Sequence, residues 1–158
     1  MKILAFLFAV LAGAAHADVE MITGDQRHCL REAVYFEARN QGPAGMEAVA
    51  WVVLNRVDHK NWPDTICGVT NQRGKKTCAF SYECDGKPET VSSNPIEQAA
   101  WQTAKEIANL ALIDWSKGKA GPVDGAIKFH ADYVNPSWAS KYQVVKQIKD
   151  HIFYKINS

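Results

Sequence analysis

No C-x-x-C pair, no H-E-x-x-H stretch, no surplus of one charge and no apolar run of membrane-spanning length occur in these 158 residues. Each gap closes a class of function. Without paired cysteines or a histidine pair on one helix, the common structural and catalytic zinc modules lack their ligand set, and no metal or cofactor is expected. A formal net charge of +1 gives no basis for a nucleic-acid partner, because phosphate binding relies on a clear basic excess or stripe. Arg73, Lys75 and Lys76 place three charges in one loop, which reads as a solvated turn. The apolar stretch Ile3–Ala15 is shorter than the roughly 20 residues that cross a bilayer, so a membrane anchor is set aside, and no later stretch is longer. Repeats and low-complexity tracts are also missing.

What is present begins with Met1-Lys2, that apolar stretch and Ala15-His16-Ala17, the small-x-small form that a signal peptidase recognises. Residues 1–17 read as a secretory signal peptide, with a secreted product, periplasmic or extracellular, as the expectation. The remainder, residues 18–158, suffices for one domain with a real core. All four cysteines, Cys29, Cys67, Cys78 and Cys84, fall in that remainder. An even number in an oxidising compartment points to two disulfides, with three connectivities open.

Hydrophobic spacing predicts a helix over about 26–38, broken by Asn40-Gln-Gly-Pro43, and a second helix with Pro43 in its first turn. Met46, Val49, Ala50, Val53, Leu54 and Val57 give that second helix one apolar side, and Trp51 with Val52 another, so it should be buried nearly all round. From Asp58 to Ser93 the pattern is irregular and carries three of the cysteines, a long stapled loop of the kind that tends to be functional. Asn94-Pro95-Ile96-Glu97 reads as a capped helix start, with Glu97 completing a capping box and the helix ending near Gly118. Its apolar face runs from Ile96 through Ala99, Ala100, Ala104, Ile107 and Ala108 to Ala111. Ala126–His130, Tyr142–Ile148 and His151–Ile156 read as strands. Helices followed by strands make the fold class α+β.

Glu37 occupies a position in the first helix where an apolar residue is expected. Leu30, Ala33, Val34 and Glu37 recur at i, i+3, i+4 and i+7, so the carboxyl faces the core side. Lost hydration there disfavours the charged form and raises the pKa, which suits a general acid. The bland account is a buried ion pair with Arg39 or Arg56.

Tyr35-Phe-Glu-Ala-Arg39, Gly45-Met-Glu-Ala-Val-Ala50, Val52-Val-Leu-Asn-Arg-Val57, Ile66-Cys-Gly-Val69, Phe80-Ser81, Cys84-Asp-Gly86, Phe129-His130, Trp138 and His151-Ile-Phe153 together resemble the SleB-type cell-wall hydrolase family. The similarity spans about Cys29 to Tyr154. The chain departs from the family's usual pattern at Asn40-Gln41, where Gly-Glu is common, and at Ala79, where Gln usually stands. The resemblance implies a lysozyme-like fold: a helical core, a small C-terminal antiparallel β element and a disulfide-stapled loop. It also implies that Glu37 is the catalytic acid in cleavage of β-1,4 bonds of peptidoglycan glycan strands. In lytic transglycosylases one Glu protonates the leaving oxygen and then deprotonates the C6 hydroxyl of N-acetylmuramic acid, so no second carboxylate is required.

Around that acid, Phe80, Ser81 and Tyr82 are candidate sugar contacts, against the alternative of a loop anchor packed on the core. Tyr35 is a supporting or outer-subsite residue, and His130 a cleft contact. Tyr133 and Trp138 are a far wall or simply core. His151 reads as a satisfied structural histidine, and Asn55 and Arg56 should bond the first helix or loop backbone. The peptidoglycan strand is the expected partner and a monomer the simplest assembly. Two other functions fit the sequence less well: an amidase cutting between glycan and peptide, which would need zinc, and a stapled cell-wall-binding module without chemistry.

Overall fold

A computed structural model describes residues 22–75 and 77–157, and the expected signal peptide lies outside the described residues. Helix α1 spans Gly24–Ala38, two residues longer at its start than the spacing predicts. Thr23 extends it there by accepting a hydrogen bond from the Gln26 amide at 3.4 Å, which satisfies one of the unpaired donors of the first turn. After α1 the chain reverses through Gly42, whose φ of +70° is a conformation that glycine adopts without cost. Helix α2, Gly42–Val57, then starts with Pro43 in its first turn.

Helix α2 is the spine of the core. From Gly45 to Leu54 every residue except Glu47 is buried, as its two apolar sides require. Leu30 and Val34 of α1 and Ala104, Ala108 and Leu112 of α4, Pro95–Ser116, belong to the same buried cluster. Small residues on α4 let its backbone come close. Trp51 of α2 lies flat against Gly121, where an added Cβ would sit 2.1 Å from the indole. No larger residue fits.

The irregular region carries more structure than expected: a short helix α3, Ile66–Thr70, and a 3-10 turn over Ser81–Cys84. Its disulfides are Cys29–Cys67, which ties α3 to α1 with Cα atoms 5.3 Å apart, and Cys78–Cys84, which closes the loop on itself with Cα atoms 6.0 Å apart.

Two expectations for α4 need correction. Asn94 caps it, accepting from the Ile96 amide at 2.8 Å, but Glu97 forms no capping box. Its carboxylate accepts a hydrogen bond from the Tyr35 hydroxyl and pairs with Arg39 Nε at 3.3 Å, because α1 lies alongside the first turn. Ile96 and Ala99, both expected on the apolar face, are exposed, Ile96 to 78%, since the start of α4 extends past the core.

The C-terminal sheet is antiparallel in the order β1-β3-β2, with β1 Lys128–Ala131, β2 Tyr142–Ile148 and β3 His151–Ile156. Phe129 pairs with Phe153 and His130 with Ile152. Strand β1 begins two residues later than expected, because the Ala126 amide closes a turn onto Val123 O at 2.7 Å. The helical core, stapled loop and small antiparallel element thus make the α+β arrangement anticipated from the sequence. Among the described residues no helix is long and apolar enough to cross a membrane.

The Cys29–Cys67 bridge closes the longer loop, with a sequence separation of 38, so it should dominate the covalent contribution to stability. Replacing both cysteines by serine should lower the unfolding free energy by about 2–5 kcal/mol, read from urea midpoints at constant m-value.

Candidate active site

Glu37 stands in the last turn of α1, partly buried, at the floor of a cleft of about 650 Å³. The stapled loop bends over it so that Ser81 donates two hydrogen bonds to one carboxylate oxygen. The Ser81 amide reaches Oε1 at 3.0 Å and its hydroxyl at 3.3 Å. Both bonds fall on Oε1, which leaves Oε2 to carry a proton. Burial raises the pKa of Glu37, and the two Ser81 bonds and the charge of Arg56 partly offset that rise. Desolvation is the larger effect, so the acid form persists above the ordinary carboxylate range.

The ion-pair alternative for Glu37 is not what the geometry shows. Arg39 pairs with Glu97, and Arg56 donates from Nε to Ile127 O at 2.7 Å while its guanidinium lies 5.1 Å over the Phe80 ring. Arg56 therefore acts on Glu37 only through its field. Burial pulls its own pKa down to about 10, a fall that the Glu37 charge opposes. Together with Asn55, whose side-chain amide donates to Ala126 O at 2.9 Å, it fastens the end of α2 to the backbone entering β1, the loop contact expected for both.

Strands β1 and β3 form the opposite wall. His130 places Nδ1 2.8 Å from Ala131 O and Nε2 2.7 Å from the Tyr154 hydroxyl. Because the carbonyl can only accept, Nδ1 carries a proton, and in that tautomer Nε2 accepts from the Tyr154 hydroxyl. Tyr133 stands 84% exposed on the rim. The wall is fixed to the helices by Gln41, which donates to Asp150 Oδ2 at 3.2 Å and accepts the Asp150 amide at 3.2 Å.

The cleft continues past Glu37 in both directions. On one side it shares Arg56, Cys78, Ala79 and Phe129 with a groove of about 680 Å³ that reaches Trp62 and Trp138. On the other it shares Phe36, Arg39 and Ser81 with a smaller groove of about 340 Å³ beside Tyr82. Glu37 thus sits in the middle of one trough.

Of the expected site residues, Glu37, Ser81, His130 and Tyr133 meet in the central cleft, and Trp138 and Tyr82 border its two extensions. Tyr35 and Phe80 do not line it. Tyr35 is buried between α1 and α4, its ring edge-on to Trp101 at 5.3 Å and its hydroxyl on Glu97, which with burial pushes its pKa up to about 12. Phe80 is buried beneath Arg56 and is the loop anchor rather than a groove face. His151 is not satisfied: it is buried at the cleft wall with Nδ1 unpaired, and burial lowers its pKa. The spacing around Glu37 passed over Gln41, Phe129 and Asp150, all of which line the cleft. The family resemblance named Phe129 and Gln41 without giving either a role at the site, and nothing in the sequence marked Asp150. Among the described residues no three His, Cys, Asp or Glu side chains gather to hold a metal.

Residues 40–154 match the Cell Wall Hydrolase family, most of the chain. The chain belongs to that family. The matched span starts just after Tyr35–Arg39, so Glu37 rests on its own geometry. Relatives include spore cortex-lytic enzymes of Halalkalibacterium halodurans, 28% identical over 91% of this chain and 36% of that protein, and of Oceanobacillus iheyensis, 30% identical over 80% and 40%. The chain spans well under half the length of these relatives. Two solved structures share the fold. The catalytic domain of Bacillus cereus SleB is 26% identical with a TM-score of 0.69, over 91% of this chain and 99% of that one. The catalytic domain of the germination-specific lytic transglycosylase SleB from Bacillus anthracis is 28% identical with a TM-score of 0.66, over 84% and 96%.

In this member of the family the Ser81 hydroxyl favours the ionised form of Glu37. Ser81→Ala keeps the amide bond but loses that donor, so the Glu37 pKa should rise further. A carboxyl-carbon NMR titration reads it, and an unchanged or lowered value would refute the assigned balance.

Proposed function

We propose that this chain cleaves the β-1,4 bond between N-acetylmuramic acid and N-acetylglucosamine in peptidoglycan, with Glu37 as the one general acid and base. The observation that carries the reading is a carboxyl of raised pKa, free of any ion pair, at the middle of an open trough. Family membership and the SleB catalytic-domain fold support it.

Glu37 Oε2–H gives its proton to the bridging oxygen as the C1–O bond breaks and positive charge grows on the muramic ring. The new carboxylate is held through Oε1 by Ser81 and sits in the field of Arg56. It then takes the proton of the C6 hydroxyl, and O6 bonds C1 to close a 1,6-anhydro ring. Water is not consumed. His130 and Tyr133 bound the opposite wall, where an exposed aromatic face suits a pyranose ring. Asp150, the other carboxylate of the cleft, is bonded to Gln41 and serves to fix the wall. Residues 1–17 direct export, in keeping with two disulfides in the described chain.

Glu37→Gln should reduce cleavage of purified peptidoglycan by at least about 100-fold, the usual worth of a positioned acid. Asp150→Asn should cost far less. Mass spectrometry should find 1,6-anhydro ends, and reducing ends alone would overturn the non-hydrolytic route. A metal chelator should leave the rate unchanged, whereas chelation that abolishes activity in a protein where Glu37→Gln is active would favour an amidase.

The same group sets a pH effect on stability. A carboxyl whose folded pKa is raised favours the native state in its neutral form, so its contribution is lost as pH rises from the unfolded to the folded pKa. At neutral pH Glu37→Gln should therefore raise the melting temperature while abolishing cleavage.

A further inference from the structure

Three cations, Arg56, Arg73 and Lys128, border the groove that leads from Glu37 toward Trp138, and no described residue lining it is acidic. The opposite extension differs, since Arg39 and Lys87 are matched there by Asp85 and Glu89. The imbalance belongs to one arm.

Arg56 is the centre of that arm. It is 7% exposed, borders both the cleft and the arm, and forms no ion pair, and its Nη1 is buried with no hydrogen-bond partner. A buried guanidinium nitrogen without an acceptor costs free energy until something supplies one. Lys128 is held close by, its Nζ 5.0 Å from the Trp138 ring and 5.1 Å from Tyr142. Burial and the nearby Arg56 charge both lower its pKa, so Lys128 is less stable as a cation than a free lysine. Arg73 reaches Glu83 at 3.4 Å, but that pair is exposed on the Arg side and offsets little of the field.

We propose that this arm binds a carboxylate carried by the glycan strand, with Arg56 as the principal donor and Lys128 beside it, so that the trough is read with polarity. The proposal rests on the glycan-cleaving reading and deepens it, naming an anionic substituent one side of the cut bond as a specificity determinant. Two sources carry that chemistry: the lactyl carboxylate of a muramic residue without a peptide, and the free carboxylates of a peptide stem, whose attachment turns the lactyl carboxyl into an amide.

Binding by a variant that cannot cut separates this proposal from the catalytic one. Glu37→Gln protein is titrated calorimetrically with three soluble chains: peptide-bearing strands, the same strands with carboxyls capped by methylamine, and strands stripped of peptide so that lactyl carboxylates are bare. The uncapped strands that present the recognised carboxylate should bind about tenfold tighter than capped ones, the scale of one charge-assisted hydrogen bond. Adding Lys128→Gln, a partly exposed position, should cut that preference to about threefold or less, by the same reasoning for a single exposed charge. Lys119→Gln, which removes an equal charge outside the trough beside Asp114, should leave it whole. Stripped strands alone binding tighter than capped ones assign the lactyl carboxylate, peptide-bearing strands alone doing so assign the stem, and both doing so assign any carboxylate at that place. Equal affinity for all three strands, or equal loss in the Lys119 and Lys128 variants, overturns the proposal. A protein that shows the preference but, as wild type, cuts neither strand would leave the docking standing and remove the chemistry.

Discussion

Two hydrogen bonds from Ser81 to one oxygen of Glu37 join the helical core to the stapled loop, and the chemistry assigned to the cleft depends on them. Burial alone would hold the proton on the carboxyl and make it a reluctant donor. Ser81 and the field of Arg56 draw the ionised form back within reach, as the proposed use of one group first as acid and then as base requires. That balance needs the loop held still. Cys78–Cys84 brackets the five residues around Ser81, and Phe80, buried under Arg56, pins the same turn from below.

The rest of the framework keeps the two walls in register. Helix α2 is buried almost throughout, and its polar end turns outward to grip the carbonyls of Ala126 and Ile127. Gln41, between α1 and α2, exchanges two hydrogen bonds with Asp150 at the β2–β3 turn. Helix ends are rich in unpaired polar groups, and here those ends are spent on the sheet. The sheet wall is thereby fixed to the helical core beside Glu37, and fixed geometry is what the two successive proton transfers proposed for Glu37 need.

The helices and strands were legible because each carries one clear period. The second helix is apolar on more than one side, and Tyr142–Ile148 and His151–Ile156 hold the limits that their residues suggest. Glu37 stood out as an acid among apolar neighbours. What stayed hidden depends on pairs far apart in the chain: Cys29 with Cys67, Gln41 with Asp150, and Tyr35 with Glu97. Tyr35 illustrates the difficulty. Its neighbourhood to the acid in sequence suggested a role at the site, but two positions along a helix turn a side chain most of the way round, and it packs on α4 instead. Glu97 had a good local partner by the capping rule, and a tertiary one won.

The trough has no end wall beside Glu37. It runs on past the acid through Phe36 and Arg39 one way and through Arg56 and Phe129 the other. A blind pocket admits only a terminus, so it trims a polymer from its tip and releases units of one size. An open gutter admits a polymer anywhere along its length, and on the proposed reading an acid halfway down it severs internal linkages, leaving fragments of scattered lengths.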